Sequence, residues 1–139
     1  MAHDPNCIFC KIIRGELPAV KIFEDAATLA FLDIFPNTRG HSLVIPKDHH
    51  ENLLAMPDES LLAVQRTTRR LAGVVTEIVG GEGFQIRQFN GTAAGQTVFH
   101  YHVHIVPMRA GERIGMHGGA AADTAELEAL AVQIRAALI

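Results

Sequence analysis

Residues 95–106 read GQTVFHYHVHIV, with a histidine at every second position from His100 through His102 to His104. Side chains two positions apart on a β-strand point to the same face of the sheet. We therefore predict a strand over 98–108 that presents the three imidazoles in one row and the residues between them to the core. Neither strand propensity nor hydrophobic packing explains such a row, and histidine commonly serves catalysis or metal binding. The stretch thus predicts a functional strand.

Four further strands and three helices are predicted around this strand. Apolar and alternating runs predict the strands, at about residues 20–24, 28–34, 41–46 and 83–90. Helical spacing predicts the helices, a short one from residue 8 that Gly15 and Pro18 close, one over about 59–79 that Asp58 caps, and one over about 123–138. Strands that follow one another closely, with one long helical interruption, favour an antiparallel α+β domain.

Composition and charge limit the class of protein. The chain has 139 residues, of which 48% are hydrophobic and 19% are charged, which is typical of one globular domain with a buried core. Its net charge of −3 argues against the broad positive surface that nucleic-acid binding needs. No run approaches the roughly 20 apolar residues of a membrane span, and no secretory signal is visible. We therefore expect a cytoplasmic protein with neither a nucleic-acid nor a membrane partner.

The histidine row has two competing interpretations, metal ligation and nucleophilic or acid–base chemistry. A neutral imidazole, with a reference pKa of about 6.5, offers a nitrogen lone pair at pH 7 for either purpose. A phosphorus centre attacked by that nitrogen would form a covalent intermediate, and a neighbouring imidazole could protonate the leaving group. The preceding loop would suit a phosphate. Gly95 lets the backbone approach closely, and uncharged donors are available from Asn90, Gln96 and Thr97.

The two cysteines form a C-x-x-C pair, Cys7-Ile8-Phe9-Cys10. In a reducing compartment this spacing indicates half of a metal site or a redox motif. A thioredoxin-like motif would follow a strand, and no strand is predicted before Cys7, which disfavours the redox interpretation. Two reduced cysteines without a ligand are the remaining alternative. The other half of a Cys2His2 zinc site would come from the histidines, at positions 3, 41, 49, 50, 100, 102, 104 and 117.

Four blocks of the chain match one known sequence pattern. Residues 100–106, HYHVHIV, fit the motif His-φ-His-φ-His-φ-φ, in which φ is apolar and Tyr101 is its least apolar member. Three upstream blocks follow in the expected order, CIFCKIIRGE at 7–16, FLDI at 31–34 and GHSLVIPK at 40–47. Over residues 7 to about 108 the chain resembles the histidine triad (HIT) family, and most of all its bacterial, Hint-like nucleotide-binding branch. The resemblance implies one HIT domain over 1–139.

This resemblance implies a nucleotidyl hydrolase or transferase that acts at the α-phosphate of a purine nucleotide, such as AMP or one of its phosphoramidates. His102 would be the nucleophile and form a nucleotidyl-histidine intermediate. His104 would contact the phosphate and the leaving group, and His41 would support both through hydrogen bonds. The implied base pocket comprises Ile8, Phe9, Ile12, Phe31 and Ile34, the implied ribose ligand is Asp33, and the implied phosphate ligands are Asn90, Gly95, Gln96 and Thr97.

The resemblance also implies a structural Zn²⁺ on Cys7, Cys10, His49 and His100. His50 is a rival to His49. Four protein ligands would leave no open position for substrate, so the ion would tie the histidine strand to the N-terminal segment. The implied fold is a five-stranded antiparallel sheet with two main helices. Two copies would form a homodimer whose sheets run on together, with the helix at 59–79 in the contact.

Several functional alternatives stay open on the sequence. Phosphoramidate hydrolysis is the leading activity, and dinucleoside polyphosphate hydrolysis is the alternative to it. A nucleotide-binding regulatory module with vestigial turnover and a purely metal-binding protein are candidates of other classes. The segment 110–119, which includes His117, could close over the site or reach a partner subunit.

Some site residues also have a plain structural interpretation. Asp33 could be a turn residue that hydrogen-bonds its own backbone. Asn90 followed by Gly91 is by itself a turn signal. The apolar residues of the C-x-x-C segment would by themselves indicate core, namely Ile8, Phe9 and Ile12.

Overall fold

Three α-helices and five strands are found in residues 3–115 and 118–139, the parts of the chain that the computed structural model describes. Their bounds are α1 Ile8–Ile13, β1 Lys21–Glu24, β2 Thr28–Leu32, β3 Ser42–Pro46, α2 Asp58–Ile78, β4 Gly83–Arg87, β5 Val103–Met108 and α3 Thr124–Ala137. The strands form one antiparallel sheet in the order β1-β2-β3-β5-β4. The predicted five-stranded antiparallel sheet with two main helices is confirmed.

The sheet buries its two faces against different helices. One face packs against α2 and α3 through a core that includes Ile22, Leu32, Val44, Val103 and Ile105. The other face packs against α1 through Leu29, Phe31, Leu43 and Ile45, which meet Phe9 and Ile12. Because α1 has only six residues, it covers part of this second face and leaves the rest for a cavity.

The long helix α2 holds the sheet in place through one apolar stripe. Val64, Leu71 and Val75 recur at helical spacing and have no solvent exposure. Truncating Leu71 to alanine would cost roughly 2–5 kcal/mol of stability. The predicted cap at Asp58 is wrong, because the helix begins there and Pro57 occupies the N-cap position without a side-chain hydrogen bond. In the first turn, the charge of Asp58 instead favours the positive end of the helix dipole.

The last helix, α3, begins as predicted. The carboxylate of Asp123 accepts a hydrogen bond from the Ala125 N–H at 2.8 Å and so caps the helix. Its buried face packs beside α2 through Leu127, Leu130, Ala131 and Ile134. Within residues 3–115 and 118–139, no helix has the length and apolar character needed to cross a membrane.

The strand β5 is shorter than predicted, since it begins at Val103 rather than at residue 98. The residues before it are bound by groups outside the ladder. The Tyr101 N–H donates to the carbonyl of His50 at 2.7 Å, and the ring of His100 donates from Nε2 to the carbonyl of Pro46 at 2.8 Å. Only the last histidine of the row therefore lies in the strand, although the residues between the histidines are buried in the core as predicted.

Candidate active site and metal centre

A cavity of about 540 Å³ opens on the face of the sheet that α1 partly covers. One end is apolar and is formed by α1 and β2, and the other end carries histidines. The predicted site residues that line it are Ile8, Phe9, Ile12, Phe31, Asp33, Ile34, His41, Thr97, His102 and His104. A cavity of this volume with an apolar wall and a few convergent polar groups is typical of small-molecule sites.

His102 lies in the wall of this cavity with 8% of its surface exposed. Its Nδ1 is 2.7 Å from the main-chain carbonyl of His100, which can only accept, so Nδ1 carries the proton and Nε2 keeps its lone pair. Burial lowers the pKa of His102 and thereby favours the neutral ring. The ring of Phe9 packs edge-on against it, with 5.1 Å between ring centroids. His102 therefore offers a neutral nitrogen in a fixed orientation.

His41 and His104 form a hydrogen-bonded relay beside His102. The Asn37 N–H donates to Nδ1 of His41 at 2.9 Å, so the proton of that neutral ring is on Nε2. His41 donates this proton to Nδ1 of His104, also at 2.9 Å, which makes Nε2 of a neutral His104 a donor. We call Asp33, Asn37, His41 and His104 the relay cluster. It determines which nitrogen of each ring holds a proton.

Asp33 forms the local turn that the sequence allowed and also lies beside the cavity. Its Oδ1 accepts from the Phe35 N–H at 2.8 Å, which is the local turn. Its Oδ2 lies 3.5 Å from Nε2 of His41, and the residue lines the cavity. Burial lowers the pKa of His41, and the negative charge of Asp33 opposes that shift. One carboxylate thus builds a turn and remains beside the cavity.

The loop before the histidines contributes less to the cavity than predicted. Thr97 lines it, whereas the side chain of Gln96 is 2% exposed and is bound within the loop region. Gln96 accepts from the Gly91 N–H at 2.8 Å and donates to the Glu51 carbonyl at 2.7 Å. Gly95 ends a short 3-10 turn with φ of +102°, a conformation that favours glycine. Gln96 and Gly95 therefore shape the loop and do not line the cavity.

Asn90 also lies outside the cavity lining. Its Oδ1 accepts from the Leu53 N–H at 2.8 Å, and its amide exchanges two hydrogen bonds with that of Gln88. The residue before it, Phe89, contacts His104 instead, with 5.7 Å between the two ring centroids. The role of Asn90 at the phosphate stays a prediction that would require these bonds to be exchanged.

The four predicted zinc ligands converge next to His102. This metal cluster consists of Cys7, Cys10, His49 and His100. The Nδ1 atoms of the two histidines are 3.3 Å apart, and three sulfur–nitrogen separations are 3.5 to 3.6 Å. Around a tetrahedral zinc ion, Zn–N distances of about 2.0–2.1 Å and Zn–S distances of about 2.3 Å place two nitrogens about 3.4 Å apart and a nitrogen and a sulfur about 3.5 Å apart. The observed separations fit the edges of such a tetrahedron.

Neighbouring groups orient the ligand atoms of the metal cluster. His100 donates from Nε2 to the Pro46 carbonyl, so the lone pair of its Nδ1 points at the cluster. Nε2 of His49 lies 3.9 Å from the carboxylate of Asp4. Burial lowers the pKa of His100 to about 4, which keeps this ring neutral, as a ligand must be. His49, and not His50, brings a nitrogen to the cluster, so the geometry separates the two rivals.

Comparison with known proteins agrees with this arrangement. A sequence model of the HIT domain matches residues 14–111 of the chain. The chain belongs to the histidine triad family.

Relatives and solved structures of histidine triad proteins resemble the chain over nearly its whole length. A Schizosaccharomyces pombe protein named adenosine 5′-monophosphoramidase is 42% identical over 114 residues, which cover 82% of each chain. A HIT-like protein from Bartonella henselae has a TM-score of 0.89 and 40% identity, over 98% of this chain and 99% of that one. A zinc-bound histidine triad protein from Mycobacterium smegmatis has a TM-score of 0.84 and 39% identity, over 96% and 93%. These likenesses support a nucleotide hydrolase of the histidine triad type.

Three described residues of the segment that the sequence left open lie at the cavity of this histidine triad protein. The carbonyl of Gly115 accepts from Nδ2 of Asn37 at 3.0 Å and from Nη1 of Arg87 at 2.7 Å. Gly118 and Gly119 line the cavity. The described part of 110–119 is therefore in contact with the site, and His117 lies outside the described residues.

Two neighbouring glycines of this segment differ in the space around them. A Cβ on Gly118 would lie 1.5 Å from the carbonyl oxygen of Phe35, so the backbone approaches more closely than any side chain would allow. A Cβ on Gly119 would meet nothing within 4 Å. Gly118 thus lets the segment contact the loop after β2.

Sequence reasoning missed three residues that bear on the histidines. Asn37 acts on His41 through its main-chain N–H, which no residue type signals. Arg87 and Phe89 lie on the face of β4 opposite to Phe84 and Ile86, and strand alternation alone could have separated these faces. The register with β5 was the missing information.

Proposed function

We propose that this histidine triad protein attacks the α-phosphate of a purine nucleotide with His102 and hydrolyses or transfers the nucleotidyl group. The observation that carries the proposal is the state of the His102 ring, which lines the cavity with Nδ1 bound to a carbonyl and its lone pair on Nε2. A nucleophile held in one tautomer and one orientation is ready for attack on phosphorus.

The reaction would proceed in two displacements. A bond forms between Nε2 of His102 and the α-phosphorus while the bond to the leaving group breaks, and its electron pair departs with that group. His104, with a proton on Nε2, would donate to the phosphate or to the leaving atom. Water then attacks the phosphorus of the nucleotidyl-histidine, the P–N bond breaks, and AMP and the neutral ring are regenerated. Water supplies the hydroxyl of AMP and the proton of the leaving group.

The apolar end of the cavity suits a purine base. Its side chains come from α1, β2 and the loop after β2, namely Ile8, Phe9, Ile12, Phe31 and Ile34. Ile8 and Ile34 are 52% and 53% exposed, and a bound base would cover this apolar surface. Asp33 would accept from the ribose hydroxyls through Oδ2, because Oδ1 is bound in its own turn.

The α-phosphate would be held by Thr97 together with His104. Gln96, Gly95 and Asn90 would join them only after exchange of their loop hydrogen bonds for bonds to the phosphate. Phosphate oxygens are charged and accept stronger hydrogen bonds than carbonyls, which favours such an exchange. Thr97 is therefore the primary loop ligand in this proposal.

The leading substrate is a purine nucleoside phosphoramidate. The name of the Schizosaccharomyces pombe relative, adenosine 5′-monophosphoramidase, supports this choice. A dinucleoside polyphosphate is the second candidate. Arg87 is paired with His104 on the neighbouring strand, so its positive charge would favour a polyphosphate. A regulatory module with vestigial turnover would bind AMP but release little product.

We further propose that the metal cluster holds a structural Zn²⁺. The tetrahedral ligand separations support this, as does the zinc-bound neighbour from Mycobacterium smegmatis. With four protein ligands the ion would have no open position, so it would contribute by joining α1 to the segment before β5. This link would fix Phe9 against His102.

A homodimer through β4 completes the proposal. This strand lies at the edge of the sheet, and its outer face exposes Phe84 and Ile86 beside Leu62 of α2. An apolar edge strand is a template for pairing with another chain, and a second copy would continue the sheet. Size-exclusion chromatography of Ile86→Lys should show a shift from dimer to monomer, and an unchanged elution volume would contradict this interface. A cytoplasmic location stays the expectation from the sequence.

The enzyme assay uses adenosine 5′-phosphoramidate and compares the wild type with His102→Ala. We expect kcat/KM to fall at least about 10³-fold, because the variant has no nucleophile. Mass spectrometry of the quenched wild type should find a nucleotidyl adduct on His102. His50→Ala, outside the cavity, is the matched histidine control. A wild type that turns over neither the phosphoramidate nor a dinucleoside polyphosphate would refute the enzymatic proposal.

A further inference from the structure

Arg87 occupies one end of a row of residues that crosses the sheet. Paired residues on neighbouring strands share a face, and the register pairs Phe31 with Leu43, Leu43 with His104, and His104 with Arg87. Phe31 belongs to the apolar end of the cavity and His104 to its histidine end. Strands lie about 4.8 Å apart. Arg87 therefore begins one strand spacing beyond His104, on the side away from Phe31.

The guanidinium of Arg87 is not part of the described cavity lining, but it contacts groups that adjoin the histidine end. It lies 5.8 Å from the ring centroid of Phe89, whose ring contacts that of His104. Its Nη1 donates to the carbonyl of Gly115, which also accepts from the cavity residue Asn37. An aromatic face and a carbonyl orient the cation.

The charge of Arg87 acts on the relay cluster. Burial is the main cause of the lowered pKa of His41, and the positive charge of Arg87 lowers it further, against the effect of Asp33. An anion bound at the histidine end would therefore lie in the field of this arginine.

The direction of a bound nucleotide follows from the row. With the base at the apolar end and the α-phosphorus at His102, the leaving group would extend beyond the phosphorus, towards β4. We propose that Arg87 binds an anionic leaving group, a sulfate or a phosphate, so that the site takes nucleotides that release such a group in addition to the phosphoramidate. This inference rests on the proposed function and adds to it the chemical class of the leaving group.

The charge balance of the first displacement gives the physical reason. The bond between His102 and the α-phosphorus forms, the P–O bond to the sulfate or phosphate breaks, and the electron pair stays on the leaving oxygen. That group gains one negative charge, which the cation stabilises as it develops. An amine leaves with an added proton instead, so Arg87 does not stabilise its departure. Water then cleaves the P–N bond and releases AMP.

The test compares substrates that share AMP and differ in the leaving group, adenosine 5′-phosphosulfate and adenosine 5′-phosphoramidate. The measured quantity is the ratio of kcat/KM for the phosphosulfate to kcat/KM for the phosphoramidate. We expect Arg87→Gln to lower this ratio about tenfold, and Arg87→Lys, which keeps the charge, to retain most of it. Diadenosine triphosphate is the third substrate, and its ratio to the phosphoramidate should fall in the same way.

A matched control has the same charge change on the opposite side of the sheet. Arg135→Gln on α3 should leave both ratios as in the wild type. Equal losses on all three substrates in Arg87→Gln would overturn the proposal, because Arg87 would then act only by holding the segment at Gly115. If Arg87→Gln lowered kcat/KM for the phosphosulfate alone, the proposal would be wrong for leaving groups that are phosphates. A wild type inactive on every substrate would instead refute the proposed function.

Discussion

The metal cluster and the relay cluster lie on either side of His102, and each contains two histidines. In the metal cluster, ring nitrogens and sulfurs approach one another at 3.3 to 3.6 Å, with lone pairs facing inwards. In the relay cluster, two contacts of 2.9 Å each pair a donor with an acceptor. The first arrangement suits a cation and the second suits proton positioning. Hydrogen-bond partners, rather than residue type, thus distinguish the two functions.

The largest expected effect comes from breaking the metal cluster. With zinc in the metal cluster, as proposed, the double variant Cys7→Ser and Cys10→Ser should lose the metal and at least about 3 kcal/mol of unfolding free energy, because metal binding is coupled to folding. Zinc content by mass spectrometry and thermal unfolding would measure both. His50→Ala, which leaves the four ligands intact, should keep one zinc per chain. Equal zinc content in the wild type and the double variant would show that the metal cluster does not bind the zinc.

Breaking the relay should affect turnover and leave the metal cluster intact. His41→Ala removes the donor to His104, and we expect kcat to fall about 10²-fold with unchanged zinc content. His41→Gln carries an N–H near the position of Nε2 and should recover about tenfold of that loss. Two variants with the same kcat would show that the hydrogen bond to His104 does not matter.

The relay should also give stability a dependence on pH. Burial holds the pKa of His41 below its usual range, so below about pH 6.5 the unfolded chain binds a proton that the folded chain does not. The unfolding free energy should therefore fall as pH decreases from 7 to 5, by at most about 1.4 kcal/mol per pH unit for this group. Unfolding free energies of His41→Gln, measured with denaturant at each pH, should depend less steeply on pH than those of the wild type. The same pH dependence in both proteins would show that groups other than His41 cause it.

The smallest expected effect concerns Asp33, the one carboxylate of the relay cluster. If its Oδ2 accepts from the ribose, Asp33→Asn should raise KM for an adenosine phosphoramidate about fivefold, the cost of one weakened hydrogen bond. KM for the 2′,3′-dideoxy analogue should change less, since this substrate makes no such bond. A parallel increase on both substrates would indicate that Asp33 acts only through its turn.

The sequence was sufficient for the architecture and for most of the two clusters. Alternation and helical spacing predicted the order of elements, because each amphipathic element must bury one face. The predicted start of β5 at residue 98 was wrong. Near that point the ring of His100 donates a hydrogen bond to the Pro46 carbonyl, and the residues before Val103 are not paired in the sheet. The choice between His49 and His50 required tertiary structure, because both follow the same strand and only one reaches the cysteines.

Residue type was a weaker guide in the loop. Gln96 and Asn90 have the amides that a phosphate needs, but the same amides bind the carbonyl of Glu51 and the N–H of Leu53, in the segment after β3. Main-chain groups that lose a partner are costly, so this segment competes with a phosphate for both amides. The local sequence does not reveal whether these amides bind main-chain groups or a phosphate. Phe89 was missed for a related reason, because its contact with His104 depends on the pairing of β4 with β5.

The contrast between Gly118 and Gly119 has a practical consequence for watching ligands enter. A cysteine at position 118 would collide with the carbonyl of Phe35, whereas one at position 119 would stand in open space at the cavity wall. With Cys7 and Cys10 buried in the metal cluster, Gly119→Cys would carry the accessible thiol for an environment-sensitive dye. Such a labelled protein would report nucleotide occupancy in real time as a change in fluorescence, independently of turnover.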